Sequence, residues 1–70
     1  GVARNMPSNV IRRYWYEPGQ RRLCVVFVSG RRYRYDDVPE ETYQSMKRAF
    51  SKGEFFNTHV RDRFRHTLES

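Results

Sequence analysis

Two runs interleave guanidinium groups with aromatic rings: Arg12, Arg13, Tyr14, Trp15 and Tyr16, then Arg31, Arg32, Tyr33, Arg34 and Tyr35. Laid on adjacent antiparallel strands, such runs build a charged face that carries rings. Guanidinium groups neutralise phosphates, and rings stack on unpaired bases at roughly 1–3 kcal/mol each. Arginine suits this work better than lysine because its planar fork binds phosphate in two places and also stacks. A second basic cluster holds Lys52, Asn57, His59, Arg61, Arg63 and Arg65. Its amide and imidazole can meet phosphate near a helix start, where unpaired backbone N–H groups point. Each set has a plainer reading. Tyr33 and Tyr35 fill a core, a lone Trp15 anchors one, Asn57 or Ser51 caps a helix, and Arg63 and Arg65 form a solvated face.

Catalytic constellations are missing. There is no glycine-rich phosphate loop, no Gly-x-Ser-x-Gly elbow and no His-Glu-x-x-His pattern. His59 and His66 stand seven residues apart with Asp62 between them. They share a helix face, as metal ligands would, only if one helix runs through position 66; a cap and a tail residue are the simpler reading. Cys24 lies in an apolar run and reads as a small core hydrophobe. We therefore expect no enzyme activity, no catalytic residues, no metal and no cofactor.

The chain that must position these groups has 70 residues, enough for one small domain. Its 14 basic and 8 acidic residues give a formal charge of +6, and 12 of the basic ones are arginine. Only 37% of residues are apolar while 16% are aromatic, so rings must supply much of the packing. One cysteine makes no internal disulfide and anchors no zinc site. No run approaches the length of a membrane span. A cytoplasmic, monomeric domain is expected, with no membrane contact; the absence of an initial Met leaves room for a fragment of a longer chain.

Residues 1–9 show no period and read as a flexible segment. Residues 10–16 are β-branched and aromatic, as a strand requires. Glu17-Pro18-Gly19-Gln20 matches a type II turn, with Gly19 at the position of positive φ. Residues 23–28 form the most apolar run and the central strand. Ser29-Gly30 then breaks the pattern before the alternating Arg31 to Tyr35. A two-residue loop would set Tyr33 opposite Val26. A three-residue loop over 29–31 would set Tyr33 opposite Phe27 and Tyr35 opposite Val25. The second is preferred, with Leu23, Val25, Phe27, Tyr33 and Tyr35 on one face. Arg32, Arg34, Cys24, Val26 and Val28 then share the other face, which stays open as an interaction surface.

Pro39 fits the first position of a helix whose stripe is Val38, Thr42, Tyr43, Met46, Ala49 and Phe50, closed by a left-handed Gly53. A shorter helix over 54–63 carries Phe56, Val60 and Phe64 on one face, and residues 65–70 read as a tail. The fold class is α+β: a three-stranded antiparallel meander followed by two short helices packed on one face, with the domain spanning 10–64.

Three stretches together resemble a known family. They are Leu23-x-Val25-x-Phe27 followed by Gly30 and Tyr33-Arg34-Tyr35; Val38-Pro39-Glu40-Glu41-x-Tyr43; and Ser51-Lys52-Gly53-x-x-Phe56-Asn57-x-His59-Val60-Arg61-Asp62. With Ser8-Asn9-Val10-Ile11 and Tyr16-Glu17-Pro18, they are similar to the KTSC domain, a module at the C-terminus of some lysyl-tRNA synthetases that also stands alone. The resemblance covers 8–64 and implies a small domain for which RNA binding has been proposed. This chain departs from the family pattern in its arginine content and in Tyr14-Trp15.

Two functions follow as expectations. The first is a non-catalytic module that binds nucleic acid, RNA foremost, through Arg12, Arg13, Trp15, Arg31, Arg32, Arg34, Lys52, Asn57, His59 and Arg61. The second is a regulator that docks on an acidic protein surface of a larger machine, such as RNA polymerase, using the same residues.

Overall fold

A computed structural model describes residues 10–69, so the segment 1–9 lies outside the described residues. Strands β1 (Ile11–Glu17), β2 (Arg22–Phe27) and β3 (Arg32–Tyr35) form an antiparallel meander, and helices α1 (Glu40–Arg48) and α2 (Lys52–His59) follow. A fourth strand, β4 (His66–Leu68), closes the order β1-β2-β3-β4. The fold is α+β as expected, but with four strands rather than three.

The apolar run of β2 sits between two neighbours, which is why it can bury both faces. Leu23 and Val25 turn towards the helices and are 0% and 1% exposed. There they meet Val38, Met46, Phe56 and Val60, all buried, together with Tyr35. Cys24 and Val26 face the other way. The register places Cys24 between Trp15 and Arg34, and Val26 between Arg13 and Arg32. Both are buried although no helix covers them, because the long stems of those neighbours lie over the apolar floor.

The loop between β2 and β3 differs from the expected one by one position. Phe27 N–H donates to Arg31 O at 2.9 Å and Gly30 N–H to Phe27 O at 2.8 Å, so the loop is Val28, Ser29 and Gly30. Gly30 carries φ +97. In three-residue hairpin loops the residue with positive φ comes last, so the glycine ends the loop instead of standing in its middle. Tyr33 therefore pairs with Val25, and Tyr35 with Leu23. A shift of two residues keeps every side chain on its face, so Tyr33 and Tyr35 turn towards the core as expected. Val28, however, leaves the open face for the loop and is exposed.

A bulge between Ile11 and Arg13 re-aims the first strand. Ile11 opposes Phe27; past the extra residue, Tyr14 and Tyr16 oppose Val25 and Leu23 on the core side. Trp15 is thereby turned to the outer face.

The loop from 18 to 21 is not the expected type II turn. Gln20 N–H donates to Glu17 O at 3.1 Å and Arg21 N–H to Pro18 O at 3.2 Å. The left-handed residue is Arg21, at φ 52, while Gly19 has no positive φ. This twist directs the Arg21 carbonyl to the N–H of Val38, at 2.8 Å. The Tyr16 hydroxyl donates to Val38 O at 2.6 Å, so both backbone groups of Val38 are tied to the first hairpin. A non-glycine residue in this region costs about 1–2 kcal/mol. Arg21→Gly is accordingly expected to stabilise the domain by about 0.5–1 kcal/mol, read as a higher urea midpoint with unchanged slope; a lower midpoint would show that Arg21 carries no such strain.

Helix α1 starts one residue later than expected, with Pro39 as its flanking residue. Glu40 and Glu41 meet the positive end of its dipole. It ends at Arg48 because Ala49 is extended and Lys52 Nζ donates to the carbonyls of Lys47 at 3.0 Å and Ala49 at 2.6 Å. Phe50, expected in the buried stripe, lies beyond that break and is fully exposed. Gly53 does not close α1; it is a buried residue in the first turn of α2. Ser51 is the cap of α2, accepting from Glu54 N–H at 3.2 Å.

Residues 66–68 form a strand where a tail was expected. His66 pairs with Tyr35 and Leu68 with Tyr33, while Glu69 N–H donates to Arg32 O at 2.7 Å. All three residues of β4 are exposed, so no hydrophobic pattern announces it. Its backbone covers the otherwise unpaired edge of β3.

Candidate functional site

The sheet sorts the candidate residues into separate groups. Arg13, Trp15, Arg32 and Arg34 lie on the outer face. Arg12 is exposed at the bulge. Arg31 leaves the β2–β3 loop and Arg61 follows α2, and both reach a cleft on the helix side. Lys52 spends its ammonium on the end of α1. Asn57 Oδ1 accepts from Arg61 Nη1 at 2.8 Å and so positions that guanidinium. His59, the last residue of α2, stacks on Phe55 with centroids 4.5 Å apart. Neither Asn57 nor His59 stands at the start of α2, where free N–H groups would have met a phosphate.

On the outer face Arg22, Arg34 and Arg13 are already engaged, while Arg32 is exposed. Arg34 Nη1 lies 2.9 Å from Glu69 Oε2, and Arg22 lies 3.5 Å from Glu17 and 3.6 Å from Asp36. Arg13 sits 5.3 Å over the Trp15 ring, and Trp15 Nε1 donates to Glu17 Oε2 at 3.4 Å. Beneath them, burial pushes the Cys24 thiol up, and Glu17 and Glu69 add to the shift. Cys24 is thus held as a neutral thiol, the unreactive form.

The helix side is different. A cleft of about 550 Å³ lies between the β2–β3 loop, β3, α2 and the segment that follows α2. Phe27, Tyr33, Tyr35, Phe56 and His66 supply its rings, and Arg31, Arg61 and Asp62 its charges. Phe56 meets Phe27 and Tyr35 edge to face at 5.4 and 5.3 Å. His66 lies 5.5 Å from Tyr33 and 5.3 Å from Tyr35. A concave, ring-lined site of this size with a few polar groups is the usual form of a ligand site. His59, Asp62 and His66 fall on different elements and hold no common ligand position; among the described residues no group of three such side chains could hold a metal ion.

Tyr35 forms the floor. Its pKa is pushed up to about 12, first by burial and then by the neighbouring Tyr33, with Arg61 pulling it down and Asp62, the weakest of the four influences, pushing it up. The folded protein keeps this proton above pH ~10, where the unfolded chain releases it. The stability this contributes is full below pH 10 and is lost as pH rises towards 12. We expect unfolding to become easier across that window, and Tyr35→Phe to flatten the loss. An equal loss in Tyr35→Phe would assign it to other groups.

Of the residues that line the cleft, Arg31 and Arg61 are among the candidates expected from the sequence, whereas Tyr33, Tyr35, Phe56, Asp62 and His66 are not. Tyr33 and Tyr35 read as core, and they are; their place beside the cleft depends on β4, which no hydrophobic pattern announces.

Against known proteins, the KTSC domain family model matches residues 7–64. A KTSC domain protein from Yersinia pestis, known by crystal structure, superposes with a TM-score of 0.83 at 31% identity, covering 96% of this chain and 94% of that one. An uncharacterized protein of Stutzerimonas stutzeri is 42% identical over 52 residues, 74% of this chain and 73% of its own. A lysine–tRNA ligase of Nostoc punctiforme is 33% identical over 58 residues, which are 83% of this chain but 10% of the ligase. Among the described residues no helix is long and apolar enough to cross a membrane. With a family match over most of its length and a near-complete structural likeness, the chain belongs to the KTSC domain family.

Proposed function

We propose that this domain binds single-stranded RNA, holding an unpaired base among the rings of the cleft and the flanking phosphates on guanidinium groups at its mouth. The observation that carries the reading is the cleft itself: rings of Phe27, Tyr33, Tyr35 and His66 meet Arg31 and Arg61 in one concave site. Stacking on rings and pairing with arginine is how proteins hold unpaired bases. The net charge of +6 favours a polyanion. Two relatives are named lysine–tRNA ligases, so a similar segment occurs in chains whose named substrate is a tRNA.

The domain acts as a binding module in the cytoplasm rather than as an enzyme, and needs no cofactor. Burial keeps Cys24 and Tyr35 in their protonated, unreactive forms. An acidic protein surface, such as one of RNA polymerase, would meet on the outer face two arginines, Arg22 and Arg34, that are already paired with acids.

Titration of a labelled single-stranded oligoribonucleotide tests the reading. One phosphate held at the mouth of the cleft implies that affinity falls about two- to threefold between about 50 and 200 mM salt, and two phosphates about sevenfold. Affinity that ignores salt, or no binding in dilute buffer, contradicts it.

A further inference from the structure

Asp62 is the one carboxylate in a cleft otherwise lined by rings and cations. For a site that only gripped phosphate it would be a liability, since it repels the ligand. Asp62 is exposed and, among the described residues, makes no ion pair and no side-chain hydrogen bond; Asp37, Glu41 and Glu54 are equally without an ion pair, but of the four Asp62 alone lines this cleft. It follows Arg61 directly in sequence, and both side chains border the same space. Their charges both act on the Tyr35 hydroxyl at its floor.

A carboxylate offers acceptors only, and two of them side by side. Its natural complement on a nucleobase is an edge with two adjacent donors. Guanine alone among the four RNA bases has one, in N1–H and the N2 amine. Adenine and cytosine each place a ring acceptor beside their amine, and uracil flanks its single N–H with two carbonyls. Guanine's next edge carries two acceptors, O6 and N7, which is where an arginine fork pairs. A carboxylate and a guanidinium on consecutive residues, opening onto one ring-lined cleft, therefore match both polar edges of guanine at once.

We propose that the cleft is selective for guanine, with Asp62 taking N1–H and N2–H, Arg61 taking O6 and N7, and the rings stacking on the base. The proposal rests on the RNA-binding reading above and deepens it. Arg31, on the far side of the loop, is then left for phosphate.

The test uses three probes with the intact protein: a short oligouridylate, the same oligomer with one central guanosine, and the same with inosine, which lacks the N2 amine. The guanosine probe is expected to bind about 5- to 100-fold more tightly than oligouridylate, with inosine in between. Asp62→Asn presents one donor where an acceptor stood and is expected to reduce guanosine binding to the oligouridylate level. The inosine comparison needs no mutation, so it decides even if that variant folds poorly. Equal binding of all three probes overturns guanine selectivity and leaves RNA binding standing. A guanosine preference that survives in folded Asp62→Asn overturns the role of Asp62. No binding of any probe in dilute buffer overturns both readings.

Discussion

Phe56→Ala is expected to unfold much of the protein at room temperature. The ring is 2% exposed and lies where α2 meets the sheet, edge to face with both Phe27 and Tyr35. Removing a buried phenyl costs about 3–5 kcal/mol in lost transfer energy and cavity. A 70-residue domain has a total of about 4–10 kcal/mol to lose. The variant should show a collapsed urea midpoint and poorly dispersed amide resonances. Phe50→Ala makes the matched comparison: its ring is fully exposed, and its removal should stay within about 0.5 kcal/mol. If Phe56→Ala proved as stable as Phe50→Ala, the packing described for α2 would be wrong.

Tyr33→Ala carries the largest expected effect on binding. Tyr33 is half-buried, and its ring stands between Phe27 at 5.8 Å and His66 at 5.5 Å. Loss of one stacking ring is worth about 1–3 kcal/mol, or about 5- to 150-fold in affinity for a single-stranded oligoribonucleotide. Tyr33→Phe keeps the ring and should bind nearly as the parent does. Trp15→Ala removes an aromatic from the opposite face, where the register sets it beside Cys24, and should leave RNA affinity almost untouched. Fluorescence anisotropy with the three variants separates the faces. Loss of binding in Trp15→Ala and not in Tyr33→Ala would move the interface to the outer face.

The two faces of the sheet illustrate how far residue pattern alone carries. The alternation Leu23, Val25, Phe27 and Tyr33, Tyr35 fixed which side chains point together, because any slip of two residues preserves it. The register itself depended on where Gly30 must sit in a three-residue loop. The end of α1 depended on Lys52, whose long arm caps carbonyls three and five residues back. Nothing in the type or spacing of Lys52 distinguishes that duty from phosphate binding. Strand β4 escaped notice because its residues are all exposed and it is held by backbone pairing to β3. Without it, His66 has no address, and the cleft has no outer wall. The candidate cleft was therefore half legible: its cations Arg31 and Arg61 stood out in the sequence, but its rings were hidden by their role in the core. The arginine-aromatic runs that first draw the eye place Arg13, Trp15, Arg32 and Arg34 on the outer face, away from the cleft.

The most direct measurement is an amide chemical-shift map of the labelled protein on addition of a short single-stranded oligoribonucleotide in dilute buffer. The expected result is a continuous set of perturbed resonances at Arg31, Tyr33, Phe56, Arg61, Asp62 and His66, with Trp15, Cys24 and Arg34 undisturbed. Perturbations centred on Trp15, Cys24 and Arg34 instead, or a spectrum that RNA leaves unchanged, would contradict the assignment of the cleft as the place where this domain holds its ligand.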